Sequence, residues 1–124
     1  MGLIECIIVD ALRRLGRVSM DRLAKMVFLI DRLGGGFEAF NWDRIDLVLT
    51  SPEFISVIER LTKAGVVKTV GDFIIPLDNN YDPGGCGWLE NSVKSAIDYV
   101  INKYGGLSDG ELDDVVDSIM EGVY

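Results

Sequence analysis

Residues 51–77 read SPEFISVIERLTKAGVVKTVGDFIIPL, and this stretch decides the fold. Ser51 and Pro52 predict the start of a helix, because a serine hydroxyl accepts a hydrogen bond from a free backbone N–H and proline suits the first helical position. Gly65 predicts the end of that helix, since glycine adopts a left-handed cap conformation without steric cost. Between them runs an apolar stripe at helical spacing, formed by Phe54, Ile55, Ile58 and Leu61.

A tight hairpin is predicted directly after this helix. Residues 66–70 favour an extended strand, because valine and threonine are enriched there. Gly71 and Asp72 predict a two-residue turn of type II′, which takes glycine first. Residues 73–75 supply the return strand, and Pro76 ends its hydrogen-bond ladder. A helix, a glycine cap and a hairpin in this order are typical of the core of a winged helix.

Four other segments have apolar residues at helical spacing. Ser19 is the predicted N-cap of the second helix, and Ser108 with Glu111 forms a predicted capping box at the last one. The second helix is apolar on most sides, which predicts that it is buried. Residues 37–49 are predicted to hold two short extended pieces. The four helical segments are residues 4–15, 23–33, 89–104 and 112–119.

The order helix, helix, helix, hairpin predicts a mainly α protein with a small β-hairpin, of class α+β. Residues 1–77 are interpreted as a winged-helix-like core with the hairpin as its wing. Residues 78–124 are predicted to add a connector loop and two extra C-terminal helices, packed on the same single domain. Winged helices serve DNA readers, protein adaptors and toxin partners alike, so this fold does not settle the function.

The sequence is acidic, with a formal net charge of −8, and its charges are unevenly distributed. Residues 1–70 carry 10 lysines and arginines against 9 acids, whereas residues 71–124 carry 2 against 11. An acidic surface repels phosphate backbones and favours basic or apolar partners. The N-terminal half is therefore the only candidate nucleic-acid face.

Six basic residues cluster around the junction of the first two helices. Mixed charge is normal on helices, so one interpretation is a solvated surface in which Asp10, Asp21 and Asp31 pair with these cations. The other interpretation is a functional patch for nucleic acid. The six residues are Arg13, Arg14, Arg17, Arg22, Lys25 and Arg32.

The last helix has an acidic face, which is either a solvated surface or a docking surface for a basic partner. Its acids are Asp113, Asp114, Asp117 and Glu121.

The residue types argue against catalysis and against a metal or cofactor site. The sequence has no histidine, and Cys6 and Cys86 are far apart, so zinc spacings, catalytic triads and histidine bases are excluded. Cys6 is expected to be a small buried hydrophobe. Cys86 lies among glycines without a cation to activate its thiol, and a disulfide between the two stays unassigned.

The remaining signals concern metals and compartment. The acids of residues 78–87 lack the spacing of a calcium loop. The apolar runs are too short for a membrane span, and the N-terminus lacks the order of a signal peptide. We expect a cytoplasmic, non-enzymatic protein that requires no cofactor.

Several segments together resemble a known family. They are LAKMVFLI at residues 23–30, the aromatic segment 37–42, ERLTKAGVV at 59–67 and IDYVINKYGGLSDGEL at 97–112. These segments resemble the Panacea-type antitoxin domain and its archaeal relatives, over roughly residues 20–70 and 88–116. Two family elements are missing, because residues 46–50 replace a Gly-Pro step and the histidine-containing ending is absent. The resemblance implies a small non-catalytic protein that neutralises a toxin or presents a partner by direct binding.

The favoured hypothesis is therefore protein–protein interaction with a basic partner such as a toxin. Acidic proteins associate quickly with basic ones, which agrees with the net charge. We expect the contacts on the exposed side of the third helix, at the turn formed by Gly71 and Asp72, and at Trp88. Trp88 is a candidate aromatic anchor, although a core position would suit its large apolar surface equally.

The alternative is a winged-helix transcriptional regulator that contacts DNA through residues 52–75. The polar side of the third helix, at Ser56, Arg60 and Lys63, would then face the DNA groove. Arg60 is the residue suited to bidentate base contact, and Lys68 would reach a phosphate. Such regulators usually form homodimers, and the last two helices offer a dimer interface.

Overall fold

Residues 2–46, 48–83, 87 and 90–122 are described by a computed structural model of the chain. Within them the protein is mainly α with a small hairpin, and so of class α+β as predicted. The helices are α1 (Gly2–Leu15), α2 (Met20–Leu29), α3 (Pro52–Lys63), α4 (Glu90–Tyr104) and α5 (Asp109–Met120), and a π-helical turn, Ile30–Gly34, continues α2. The strands are β1 (Val18–Ser19), β2 (Asp43–Ile45), β3 (Val48–Thr50), β4 (Val67–Val70) and β5 (Phe73–Pro76). No described helix has the length and apolar character needed to cross a membrane.

The helix starts follow the predicted caps. The hydroxyl of Ser19 accepts a hydrogen bond from the backbone N–H of Arg22 at 3.1 Å. The hydroxyl of Ser51 likewise accepts from the N–H of Phe54 at 3.3 Å, with Pro52 as the first helical residue. Both hydrogen bonds of the Ser108 capping box are present. These starts are confirmed because each depends on residues within one helical turn.

The hairpin is also confirmed, and it belongs to a larger sheet than predicted. Strands β4 and β5 pair antiparallel around a two-residue turn, where Gly71 has a φ of +59°. Ser19 was expected only as the N-cap of α2, directly after Val18. The two residues also form β1, which pairs with β5 and gives a three-stranded sheet of order β1-β5-β4. A second sheet consists of β2 and β3 alone.

The core is built on α2, whose residues 23–29 are all buried. Helix α1 and the α4 stripe pack around it, and α4 crosses the π-helical turn closely at Gly34. A Cβ atom on Gly34 would lie 2.8 Å from the carbonyl oxygen of Ala96, so only glycine allows this approach. Cys6 is fully buried, as predicted. The question of a disulfide also involves Cys86, which lies outside the described residues.

One predicted core position on α3 is wrong. Ile55 was expected in the apolar stripe, but its residue exposure is 41%. Val57 occupies the buried position instead, together with Phe54, Ile58 and Leu61. These four follow the spacing i, i+3, i+4 and i+7 of a single helix face, whereas position 55 lies about 100° around the helix from Phe54.

Candidate functional site

The exposed side of α3 borders a surface groove of about 680 Å³. We call it the α3 groove. Its other wall is the β2–β3 hairpin, where strand alternation places Asp43 and Ile45 on the groove side and Arg44 on the opposite side. Ile45 is 59% exposed and Ile55 is 41% exposed, so two large aliphatic side chains face solvent here. The residues that matter for its chemistry are Trp42, Asp43, Ile45, Ile55, Ser56 and Glu59.

An aromatic cluster supports the groove from below. Trp42 lines the groove and stacks on buried Phe40, with ring centroids 5.1 Å apart and planes at 26°. Phe28 meets the same indole edge-on at 5.6 Å, and Phe54 lies at 6.0 Å. Offset stacked and edge-on arrangements are the favourable ones for aromatic pairs. The indole is therefore held on three sides while part of it stays accessible.

A buried carboxylate fixes the orientation of Trp42. Asp31 is fully buried, and its Oδ2 accepts a hydrogen bond from the indole Nε1–H at 3.1 Å. Its Oδ1 accepts from the backbone N–H of Ala39 at 2.8 Å. Burial raises the pKa of Asp31, and these hydrogen bonds offset part of that rise. Asp31 thus connects the end of α2 to the segment that carries Trp42.

Glu53 connects a second pair of segments, residue 41 and the start of α3. Its carboxylate accepts from the backbone N–H of Asn41 at 2.9 Å, from the Asn41 side-chain amide at 3.0 Å and from the Ser51 hydroxyl at 2.8 Å. These donors lower the pKa of Glu53 to about 2, with the Asn41 backbone N–H the largest contributor. Residue 41 and the first turn of α3, both lining the groove, are therefore tied to each other.

The α3 groove combines an apolar surface with negative charge. Asp43 and Glu59 line it, and the described lining residues include neither lysine nor arginine. Glu59 is exposed and has no ion-pair partner among the described residues. Arg44, the neighbour of Asp43, pairs instead with Asp117 of α5 at 2.5 Å. A cationic group entering the groove would therefore meet carboxylates without a competing positive charge.

Two of the predicted contact residues on α3 have different environments. Ser56 is exposed and lines the α3 groove. Arg60 pairs through its guanidinium with the buried carboxylate of Glu5 at 3.4 Å. Glu5 also accepts a hydrogen bond from the Tyr81 hydroxyl at 2.7 Å, which raises the pKa of Tyr81. The side chain of Arg60 is thus engaged within the protein while 43% of it stays exposed.

The other predicted contact residues within the described ranges do not line the groove. Lys63 is exposed in the last turn of α3, and Lys68 is exposed on β4. Gly71 and Asp72 form the exposed hairpin turn. Trp88 lies outside the described residues. Among the predicted contact residues that the structure describes, Ser56 alone lines the groove.

Acids of the C-terminal helices neutralise much of the N-terminal basic cluster. Arg14 pairs with Asp98, and Arg22 pairs with Asp109 at 2.8 Å. Within the cluster, Arg13 pairs with Asp10 at 3.2 Å, which agrees with the solvated-surface interpretation. Two further cations contact aromatic rings, Arg17 over Phe73 and Arg32 over Phe28.

The expectation for Asp31 is wrong, and two acids of α5 have partners that were not predicted. Asp31 was expected to pair with the basic cluster, but its carboxylate faces inward to Trp42 and Ala39. Asp113 and Asp117 of α5 were interpreted as part of a solvated or docking face. Their side chains stay 44% and 50% exposed, and they also pair with Lys25 and Arg44. Sequence spacing along one helix does not report such partners from distant elements.

Lys25 is the centre of the contact between α2 and α5. Its residue exposure is 4%, and its ammonium pairs with Asp21 at 2.6 Å and with Asp113. Burial alone would lower the pKa of Lys25, but the hydrogen bonds to these two carboxylates outweigh it and the pKa is raised. The ammonium therefore stays charged, and its ion pair with Asp113 holds α5 against α2.

Sequence reasoning identified the α3 side of the groove through Ser56 but missed Trp42 and Ile45. Trp42 entered the sequence analysis only as the end of the aromatic segment 37–42, and Ile45 was given no role. The available signal was an isoleucine at position 55, one step beyond the face that Phe54 and Val57 share. The acids, cysteines and other described residues form no cluster that could hold a metal ion. Comparisons of the chain with family profiles, curated proteins and solved structures found no match.

Proposed function

We propose that this chain is a small non-catalytic protein that acts by binding a basic protein partner, in the manner of an antitoxin or an adaptor. The α3 groove carries the proposal, because it is an open apolar surface bordered by Asp43 and Glu59. Exposed apolar surface rimmed by polar residues is typical of protein interaction sites. The excess of acidic residues in the chain, with its net charge of −8, favours a partner of opposite sign.

A winged-helix-like core is part of this proposal. Helices α1, α2 and α3 precede the β4–β5 hairpin, and the short β1 strand pairs with that hairpin. This order agrees with a winged helix whose third helix lies at the surface. The β2–β3 hairpin is an addition between α2 and α3, and it supplies one wall of the α3 groove.

The competing hypothesis of a DNA-binding regulator receives less support from the charge distribution. Arg60, its main candidate for base contact, is paired with Glu5. Glu59 is exposed on the same helix, and a carboxylate beside a phosphate backbone opposes binding. The interpretation also needs the basic and acidic halves to be separated in space, whereas Arg14 and Arg22 pair with acids of the C-terminal half.

The test is affinity capture from extracts of the source organism, with the full chain as bait. We expect wild-type protein to retain one basic protein at low salt and to release it as ionic strength rises. Ile55→Ser should reduce the capture, and Leu77→Ser is the matched control, because Leu77 is 52% exposed and does not line the groove. Failure to retain any protein, or equal loss with both variants, would contradict the proposal.

Recombinant expression of the captured partner distinguishes an antitoxin from an adaptor. For an antitoxin, expression of the captured partner alone should arrest growth, and co-expression of this chain should restore it. For an adaptor, the partner should be harmless when expressed alone. The co-expression rescue should be weaker with Ile55→Ser than with Leu77→Ser.

A further inference from the structure

The size of the α3 groove limits what can enter it. Its volume of about 680 Å³ lies within the range of small-molecule binding pockets, which is roughly 300–1,000 Å³. A globular surface cannot insert into a space of this size, whereas a few consecutive side chains of a protruding segment can. The occupant is therefore best described as a short segment of the partner.

The groove is prepared for a bulky apolar side chain. Trp42 is fixed by Asp31 and by the stacked ring of Phe40, so binding costs little ordering of the indole. Ile45 and Ile55 are exposed on the facing walls. Interface energy concentrates where a buried aromatic or aliphatic anchor fills a preformed pocket.

The rim of the groove favours a positively charged occupant. Asp43 and Glu59 supply carboxylates, and the described lining residues supply no cation. Glu53, close to the same helix start, is ionised at neutral pH because its donors hold its pKa at about 2. An anionic segment or a phosphate would meet repulsion here, whereas a lysine or arginine would be attracted.

We infer that the α3 groove binds a peptide segment of the partner in which a bulky aliphatic or aromatic side chain lies within a few residues of a lysine or arginine. The apolar side chain contacts Trp42, Ile45 and Ile55, and the cation lies at Asp43 and Glu59. This inference rests on the proposed protein-binding function and specifies the chemistry of the partner's contact.

The experiment is selection of short random peptides displayed on phage against the immobilised full-length chain. Enriched peptides should combine a bulky apolar residue with a nearby lysine or arginine. Synthetic copies are then measured by fluorescence anisotropy. Ile55→Ser should weaken binding by about tenfold, as expected for loss of an anchor contact. Glu59→Gln should weaken it at low salt but little at high salt, and Leu77→Ser should leave it unchanged.

Three results would overturn the inference. The first is enrichment of no peptide, or of peptides without a cation. The second is binding that Ile55→Ser leaves unchanged. The third is a concentration-dependent dimer in sedimentation that Ile55→Ser abolishes, because a second copy would then occupy the groove. If any of these results is found, the affinity capture shows whether the proposed function still holds. Equal capture of a basic partner by wild type and Ile55→Ser would mean that the chain binds this partner through another surface. Capture of no partner would reject the proposed function itself.

Discussion

Removal of the Asp31 carboxylate should destabilise the protein mainly by leaving two partly buried donors without an acceptor. In Asp31→Ala, the N–H of Ala39 and the indole N–H of Trp42 both lose their partner. A buried donor without a partner costs about 1–3 kcal/mol, so two of them should lower the free energy of unfolding by about 2–6 kcal/mol. The lower end of this range is expected, because Ala39 and Trp42 are only partly buried. Asp31→Asn should cost less, because the amide oxygen still accepts one of the two hydrogen bonds.

The coupling free energy between Asp31 and Trp42 tests their hydrogen bond more specifically than either single variant does. Trp42→Phe keeps an aromatic ring in the cluster but removes the donor to Asp31. Since both single variants lose the same hydrogen bond to a charged group, the double variant should lose it only once. The sum of the two single losses should therefore exceed the loss in Asp31→Ala/Trp42→Phe by about 1.5–3 kcal/mol.

Urea unfolding followed by far-ultraviolet circular dichroism measures these free energies without relying on the indole signal. The control combines Asp31→Ala with Leu77→Ser, a pair that shares no contact and should be additive within about 0.5 kcal/mol. Equal additivity for the Asp31 and Trp42 pair would refute the claim that this carboxylate positions the indole.

Burial also raises the pKa of Asp31, so wild type should lose stability relative to Asp31→Asn as pH rises through that pKa.

Three further predictions concern the supports of the fold and the groove. Asn at both Asp21 and Asp113 leaves the Lys25 ammonium buried without a counter-charge and should cost about 3–5 kcal/mol. Lys25→Met leaves only half-exposed carboxylates and should cost about 1 kcal/mol. Urea unfolding checks that order, and the reverse order would reject it. The hydrogen bonds that hold the pKa of Glu53 at about 2 should stabilise wild type over Glu53→Gln by about 1 kcal/mol near neutral pH, after allowance for solvent screening. This advantage is complete above the unfolded value of 4.5 and should disappear as pH falls towards 2, and a difference independent of pH would contradict it. Gly34→Ala places a Cβ against the backbone of Ala96 and should lower the free energy of unfolding by about 1–3 kcal/mol, so an unchanged thermal midpoint would show that α4 can shift freely.

Features determined by neighbouring residues could be predicted from the sequence. The Ser51 and Ser108 caps and the turn at Gly71 were confirmed, because each depends on interactions within a few residues. The burial of α2 followed from its apolar residues on most sides. Periodicity was less accurate within α3, since it could not decide between Ile55 and Val57 for the buried face.

Features that join distant segments could not be predicted in this way. The β1 strand has two residues and becomes a strand only by pairing with β5. Asp31 looks like an ordinary helix-surface acid, and only the return of residues 39–42 to the end of α2 makes it a buried acceptor. The groove exists because the β2–β3 hairpin stands opposite α3, which no single segment encodes.

The most direct test of the central claim is the binding of the purified chain to its own upstream DNA and to random duplex. Fluorescence anisotropy at low and at physiological salt is suitable, because attraction to phosphate is strongest at low salt. A protein-binding module whose basic cluster at residues 13–32 is engaged internally should bind neither duplex, even at low salt. Tight, sequence-preferring binding that weakens in Arg60→Ala would contradict this account and place α3 in the DNA groove.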